Sequence, residues 1–436
     1  MRSTRAVYTP SDALLAAALL FSVLPAAPLT STLTRLVGVP LQGPLVALWF
    51  VGLLVVKRHG RGLAFALLMI VVGGWSALFG GDPMIMRTWL GTVVVPLLLF
   101  AGIQALREHE IAFARDAIRL VLFVTVALQV FFYVEQAGIP SIFSPGFVLG
   151  HHTDVAFWKQ VGGQVLANPT NASVIFCAAF AWAVAERALG NPGRFSWSFV
   201  LFSVLAVWVT GSRGAYLTAG LVVQAAALFH ARSRKRLAFT ALAAVAVYAA
   251  GSYWLSHFAT RAHTAESLNA RLETRRAAIP EVIGHPVGHG PGKTADVLHN
   301  TFGNVVFLGI DTNGATSHDL FLNWGVCVGW IGLGLLLFAL GLGLIRGWKG
   351  GPLGVLPLLA FLLSGESTGI DVLSASNAAW SVVMWVLIGL AWKGGIVSEY
   401  VTYPSGVAGS AEETQSRYLS PLRSRNAFDV AVAHQR

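Results

Sequence analysis

Charge is what this sequence has least of. Of its 436 residues, 11% are Asp, Glu, Lys or Arg, whereas 55% are hydrophobic and the mean hydropathy is +0.66. A soluble domain is about a quarter charged, so an ordinary water-facing enzyme is excluded, because its surface would lack polar cover. Cysteine is nearly absent. The two present, Cys177 and Cys327, sit in apolar runs, which excludes a disulfide framework and a CxxC zinc site. Acids are scarce beside the apolar runs, and Asp82, Glu135, Asp154, Glu366 and Asp371 fall at run ends or in connections. That placement disfavours proton-coupled transport, which needs ionisable groups near the bilayer midplane.

What is abundant is apolar sequence. Hydropathy marks twelve spans near 11–29, 41–56, 61–79, 88–106, 117–137, 166–186, 196–211, 214–230, 236–255, 319–345, 353–369 and 375–392. A spanning helix takes roughly 20 apolar residues. The expected fold is therefore all-α, a polytopic integral membrane bundle of about twelve transmembrane helices. Pro25, Pro44, Pro96 and Pro169 interrupt spans, which neighbouring helices tolerate by re-satisfying the freed carbonyls. Arg2 and Arg5 before an apolar run ending Pro25-Ala-Ala outline a signal peptide, but an uncleaved first span suits a polytopic chain better. With the N-terminus inside, only Arg35, Arg87, Lys159, Arg213, Arg261, Arg271, Arg275, Arg276 and Lys293 of the 30 Lys and Arg lie outside. The positive-inside rule then puts both termini in the cytoplasm. Arg232-Ser-Arg-Lys-Arg236 is the strongest topology anchor.

Two outer loops are long, 138–165 and 256–318, and long loops are functional candidates. No DxD-type metal motif occurs in them. Residues 393–436 show no apolar period and read as a disordered cytoplasmic tail. Gly341–Gly354 reads as close helix packing and loop, not as a phosphate cradle. Eight histidines fall outside by this topology: His151, His152, His257, His263, His285, His289, His299 and His318. His285 and His289 have the spacing of a helical zinc pair, but Pro286 and Gly288 argue against a helix there. The sequence places no third ligand, so no metal site is expected.

Three features carry chemistry. Residues 265–279 favour helix up to Pro280, with Arg271 and Arg275 four apart on one face. Two guanidinium groups side by side suit a diphosphate or carboxylate through forked hydrogen bonds, and they equally suit a solvated face. Arg213, in Thr210-Gly-Ser-Arg-Gly-Ala215, joins two apolar spans with almost no linker. An arginine just under the outer interface costs roughly 3 kcal/mol on insertion scales, so it is functional or paired. His318, where a span begins, titrates near neutral pH and suits a general base. A helix N-terminus there disfavours its protonated form.

The order of these features resembles the O-antigen ligase and polymerase superfamily of bacterial envelope glycosyltransferases. The resemblance rests on Ser212-Arg213-Gly214-Ala215, on Arg271 followed by Pro286-Val-Gly288-His-Gly290-Pro-Gly292, and on His318-Asp319-Leu-Phe-Leu322 with Gly329 and Gly332 beyond. Asn168-Pro169-Thr-Asn171 is similar to the family's Asn-Pro-Asn element. Departures are Asp319 for the usual Asn, Cys327 where many members have Glu, and Arg275 at a position often taken by Trp. Residues 299–316 look like an insertion.

The resemblance implies a GT-C-like enzyme of the bacterial inner membrane with a periplasmic active site. It would move a glycan from an undecaprenyl-diphosphate-linked donor to a hydroxyl of lipid A core or of a growing polysaccharide. Catalysis would fall to His318, Arg213 and Arg271, diphosphate binding to Arg213, Arg271 and Arg275, and orientation of the histidine to Asp319. No cofactor, metal or nucleic acid is implied; the partners are donor, acceptor and lipid bilayer. The chain then divides into five N-terminal spans (1–137), a ligase-like core with both outer loops (138–345), two C-terminal spans (346–392) and the tail. A small helical lid at 256–318 would cover an outward-facing cavity. The alternatives are a multi-pass transporter of an envelope or small-molecule substrate and a glycan-binding scaffold. Reporter fusions test the topology: Gly60, Arg234 and Gly350 should report cytoplasm and Lys293 periplasm, and a cytoplasmic signal at Lys293 would overturn the site assignment.

Overall fold

The computed structural model describes residues 61–80, 82–106, 108–137, 169–188, 196–210, 212–230, 261–302, 306–307, 310–311, 317, 319–374 and 377–394. The expected spans at 11–29, 41–56 and 236–255, the loop 138–165, His151, His152, His257, His318 and the tail beyond Gly394 lie outside them.

Helix α1 covers Arg61–Gly80. Helix α2 (Pro83–Trp89) passes through a π-helical turn, Leu90–Val94, into α3 (Val95–Ala105). Then come α4 (Glu108–Ala137), α5 (Pro169–Ala188), α6 (Ser196–Val209) and α7 (Arg213–His230). The second long loop contains α8 (Arg261–Gly284), α9 (Thr294–Phe302) and a minimal antiparallel pair, β1 (Val306–Phe307) with β2 (Ile310–Asp311). Helices α10 (Leu320–Lys349), α11 (Pro352–Thr368) and α12 (Ala378–Trp392) follow. Apart from that strand pair, the described secondary structure is helical.

Three described stretches are long and apolar enough to cross a membrane: Pro83–Ala105, Ala114–Glu135 and Leu320–Lys349. Five shorter apolar helices accompany them, at Gly62–Trp75, Ser196–Val209, Gly214–Ala227, Pro352–Thr368 and Ala378–Trp392. Their outward faces are apolar too. Trp197, Leu201, Val204 and Trp208 are exposed at intervals of three and four on α6, and Leu67, Val71 and Trp75 at intervals of four on α1. Stripes of this kind are a liability in water and the natural contact in lipid, so the protein resides in a membrane.

Inside the bundle, small and large residues divide the work. Helix α5 is rich in buried alanines, Ala178, Ala179, Ala181, Ala183 and Ala185, which let α11 approach until Ser173 Oγ lies 3.4 Å from Ser364 Oγ. Close approach over small side chains is how membrane helices pack without a hydrophobic drive between them. Elsewhere Phe100 meets Trp385 and Trp392 edge to face, with ring centroids 5.6 and 5.0 Å apart, the favoured aromatic geometry.

Helix α8 does not stop at Pro280 as its sequence suggests; it runs one further turn to Gly284. Proline removes only one donor from the ladder, and packing holds the continuation: Ala277, Ala278, Val282, Leu298 and Val326 form a small core between α8, α9 and α10. A turn, Pro286–Gly292, then returns the chain to α10, where Gly329 breaks the helix at φ 72°, ψ 177°. The turn occupies that break. In an intact helix the Ile331 N–H would bond the Cys327 carbonyl. Here it donates to Pro286 O (3.3 Å), while Cys327 O accepts from Gly290 N (2.8 Å) and Val326 O from His289 N (2.9 Å). The two backbones press so closely that a Cβ on Gly329 would overlap the Pro286 carbonyl, and one on Gly288 (φ 70°) the Cys327 carbonyl.

That φ, ψ combination at Gly329 is essentially restricted to glycine. Gly329→Ala should therefore cost at least about 1–3 kcal/mol, read as a lowered unfolding temperature of detergent-solubilised protein. Gly341→Ala, whose Cβ meets nothing within 4 Å, should be neutral or slightly stabilising. Equal effects would contradict the account of the break.

Candidate functional site

Ser212 accounts for the start of α7. Its hydroxyl accepts from Ala215 N (3.3 Å) and its carbonyl from Tyr216 N (3.1 Å), an N-cap that fixes where the helix begins. Arg213 is thus the first helical residue, and only its backbone is described. A cation at a helix N-terminus opposes the macrodipole, so helix stability does not explain it. The next residue, Gly214, has no room for a side chain, because a Cβ there would collide with the Ser367 hydroxyl. The Ser-Arg-Gly element therefore packs on the C-terminal end of α11.

Arg271 reaches the same place from α8. Its Nη1 donates to the Ser367 carbonyl at 3.3 Å. Its Nε is buried with no hydrogen-bond partner, and no carboxylate pairs with it among the described residues. Burial first, and the Arg275 charge second, pull its pKa below the ordinary arginine value. It remains a cation at any physiological pH. Among the described residues the result is a partly desolvated positive charge without a counter-charge, an environment that favours an anion.

Arg275, one turn on, is paired. Its Nη2 lies 2.8 Å from Glu366 Oε1 and its Nε 3.6 Å from Asp319 Oδ2. Asp319 also caps α10, accepting from Phe321 N (3.0 Å) and Leu322 N (2.9 Å). The other Glu366 oxygen accepts from Leu320 N at 3.2 Å. Helix α8, the start of α10 and the end of α11 are thereby tied together. Orientation of the histidine by Asp319 remains a proposal, since His318 lies outside the described residues.

The residues flanking His318 are firmly held. Buried Ser317 donates from its backbone N–H (2.9 Å) and its hydroxyl (2.6 Å) to Asn323 Oδ1. Asn323 Nδ2 in turn donates to Gly369 O at 3.2 Å. The Ser317 carbonyl accepts from Thr274 Oγ1 on α8 at 3.4 Å, between Arg271 and Arg275. Ser317 and Asp319 are thus anchored beside the two arginines.

Sequence reasoning put Arg271 and Arg275 on one helix face and gave both to diphosphate binding, with Arg271 also in catalysis; the structure pairs Arg275 with two carboxylates and, among the described residues, leaves Arg271 with none. Glu366 and Ser367 were missed as site residues. The available signal was an acid closing an otherwise apolar span. A separate cluster sits at the other end of α8, where His289 Nε2 is 3.0 Å and His285 Nδ1 3.4 Å from Glu281 Oε2. Burial, then the neighbouring His285, lower the His289 pKa, with Glu281 acting in the opposite sense.

The pairing of Arg275 with Glu366 is testable by a double-mutant cycle of Arg275→Ala and Glu366→Gln. Both groups are about a third exposed, so solvent screening limits the expected coupling to about 0.5–1 kcal/mol. Fully additive losses in unfolding temperature would mean the contact contributes nothing.

No curated protein matches the chain. A family model described as O-Antigen ligase matches residues 198–337, a segment that contains Arg213, Arg271, Arg275, His318 and Asp319 and stops short of Glu366. By that match, residues 198–337 of this membrane protein are similar to the O-antigen ligase family.

Proposed function

We propose that the protein transfers a glycan from undecaprenyl diphosphate to an acceptor hydroxyl, of lipid A core or of a growing polysaccharide, at the periplasmic face of the bacterial inner membrane. The observation that carries this reading is Arg271, half-buried and, among the described residues, without a carboxylate partner and with a buried Nε that has no acceptor. It shares Ser367 with the Ser212-Arg213-Gly214 helix start. A diphosphate satisfies both features, because its oxygens accept forked hydrogen bonds from arginine and the amides of a helix N-terminus favour anions.

In the reaction, the acceptor oxygen forms a bond to the anomeric carbon while the bond from that carbon to the diphosphate oxygen breaks. The bonding pair leaves with undecaprenyl diphosphate, and the acceptor's proton passes to His318. Negative charge gathers on the leaving group, which Arg271, held in a partly dry place, stabilises, with Arg213 assigned the same task. Arg275, already neutralised by Glu366 and Asp319, acts chiefly by positioning α8 against α10. The arginines supply the positive charge that a metal provides in other transferases, so the transfer step itself is read as metal-independent.

Arg213→Lys should fail to restore transfer, because an ammonium cannot make the forked contact. His318→Ala should slow turnover by about 100- to 10,000-fold while donor affinity is kept. The assay is purified protein in nanodiscs with a polyprenyl-linked glycan, measuring donor binding and transfer separately. Full activity of His318→Ala would remove the proposed base. Envelope analysis of a deletion strain identifies the acceptor: unattached long polymer marks a ligase, single-repeat decoration a polymerase.

A further inference from the structure

The C-terminal end of α8 carries a second cluster, roughly 15 Å along the helix from Arg271 at 1.5 Å per residue. Glu281 and His285 are one helical turn apart. Beyond Gly284 the helix ends, and Gly288, at φ 70°, folds the chain back so that His289 returns to the same carboxylate. Glu281 Oε2 is 3.0 Å from His289 Nε2 and 3.4 Å from His285 Nδ1. One ligand atom from each of the three residues lies within 4.8 Å of the others. His285 Nδ1 is also 3.0 Å from the Glu281 carbonyl, and the two imidazole rings are 4.0 Å apart, centroid to centroid.

We infer that Glu281, His285 and His289 bind a divalent transition-metal ion of the zinc class, which clamps the end of α8 to the turn that docks on α10. Metal–ligand bonds of about 2.0–2.2 Å put tetrahedral ligand atoms about 3.3–3.5 Å apart; the 3.4 Å separation falls in that range and the 3.0 Å one lies a few tenths of an ångström below it. Two histidines and one glutamate are a donor set suited to this ion. A dication attracts the carboxylate and both imidazole nitrogens alike. The partial exposure of the three side chains, 22–49%, leaves the fourth position to water. The clamp reinforces the contact that matters most nearby, since the backbone N–H of His289 donates to the Val326 carbonyl at the break in α10. This inference is independent of the glycan-transfer reading.

The test uses the full chain purified on a tag other than polyhistidine, stripped with chelator and titrated with Zn(II) and with Co(II). Metal per chain is counted by elemental analysis, and Co(II) coordination is followed by its visible absorption. The expected result is one saturable site with the absorption of a nitrogen- and oxygen-ligated ion. His289→Ala and Glu281→Gln should each weaken binding by at least about tenfold, a scale reached even by changes one shell beyond the ligands. His299→Ala, whose exposed side chain lies on α9, should leave the site intact. Should His289→Ala misfold by size-exclusion chromatography, the near-isosteric Glu281→Gln decides. Absence of saturable binding in the wild-type chain, or unchanged affinity in Glu281→Gln, would overturn the inference.

Discussion

At Gly329, α10 gives up the helical partners of Val326 O, Cys327 O and Ile331 N, and the Pro286–Gly292 turn takes all three. Buried backbone polar groups must be paired, and within a bilayer each unpaired one costs several kcal/mol. The break and the turn are thus a single unit, neither of which is tolerable without the other. Because the turn follows directly on α8, this exchange sets where α8 lies against α10, and with it where Arg271 and Arg275 point. Glycine is required on both sides of the contact for the same steric reason.

From that anchor the site follows in steps. Helix α8 delivers two arginines to the end of α11. Glu366 takes one and also holds the first amide of α10, leaving Arg271 against the Ser367 carbonyl without a carboxylate among the described residues. Gly214 brings the start of α7 onto Ser367. Ser317 and Asp319, on either side of His318, are bonded to Asn323 and to the α10 cap. Four chain segments distant in sequence thus meet at one place, and the cation left there without a counter-charge among the described residues is the feature that favours an anionic ligand.

Much of this was legible in the sequence. Hydropathy located the helices at 61–80, 320–349 and 378–392 within a few residues, because apolar runs of that length are decisive in a membrane chain. Periodicity put Arg271 and Arg275 on one face. It could not tell which would be neutralised, because Glu366 is about ninety positions away and belongs to an apolar span. Helix α8 outran the stop expected at Pro280, since packing of Val282 against Val326 and Leu298 is a tertiary effect. The histidine pair at 285 and 289 has helical spacing without a helix; the true helical pair is Glu281 with His285, and only the backbone reversal at Gly288 reveals the third member.

The central claim is that the charge of Arg271 is held in readiness for a diphosphate. Its most direct test is equilibrium binding of undecaprenyl diphosphate, lacking any glycan, to protein in nanodiscs, comparing wild type with Arg271→Gln. Hydrogen bonds to charged groups contribute about 1.5–3 kcal/mol, so the account predicts affinity reduced by roughly tenfold to a hundredfold with the fold retained. Unchanged affinity in the folded variant would contradict it.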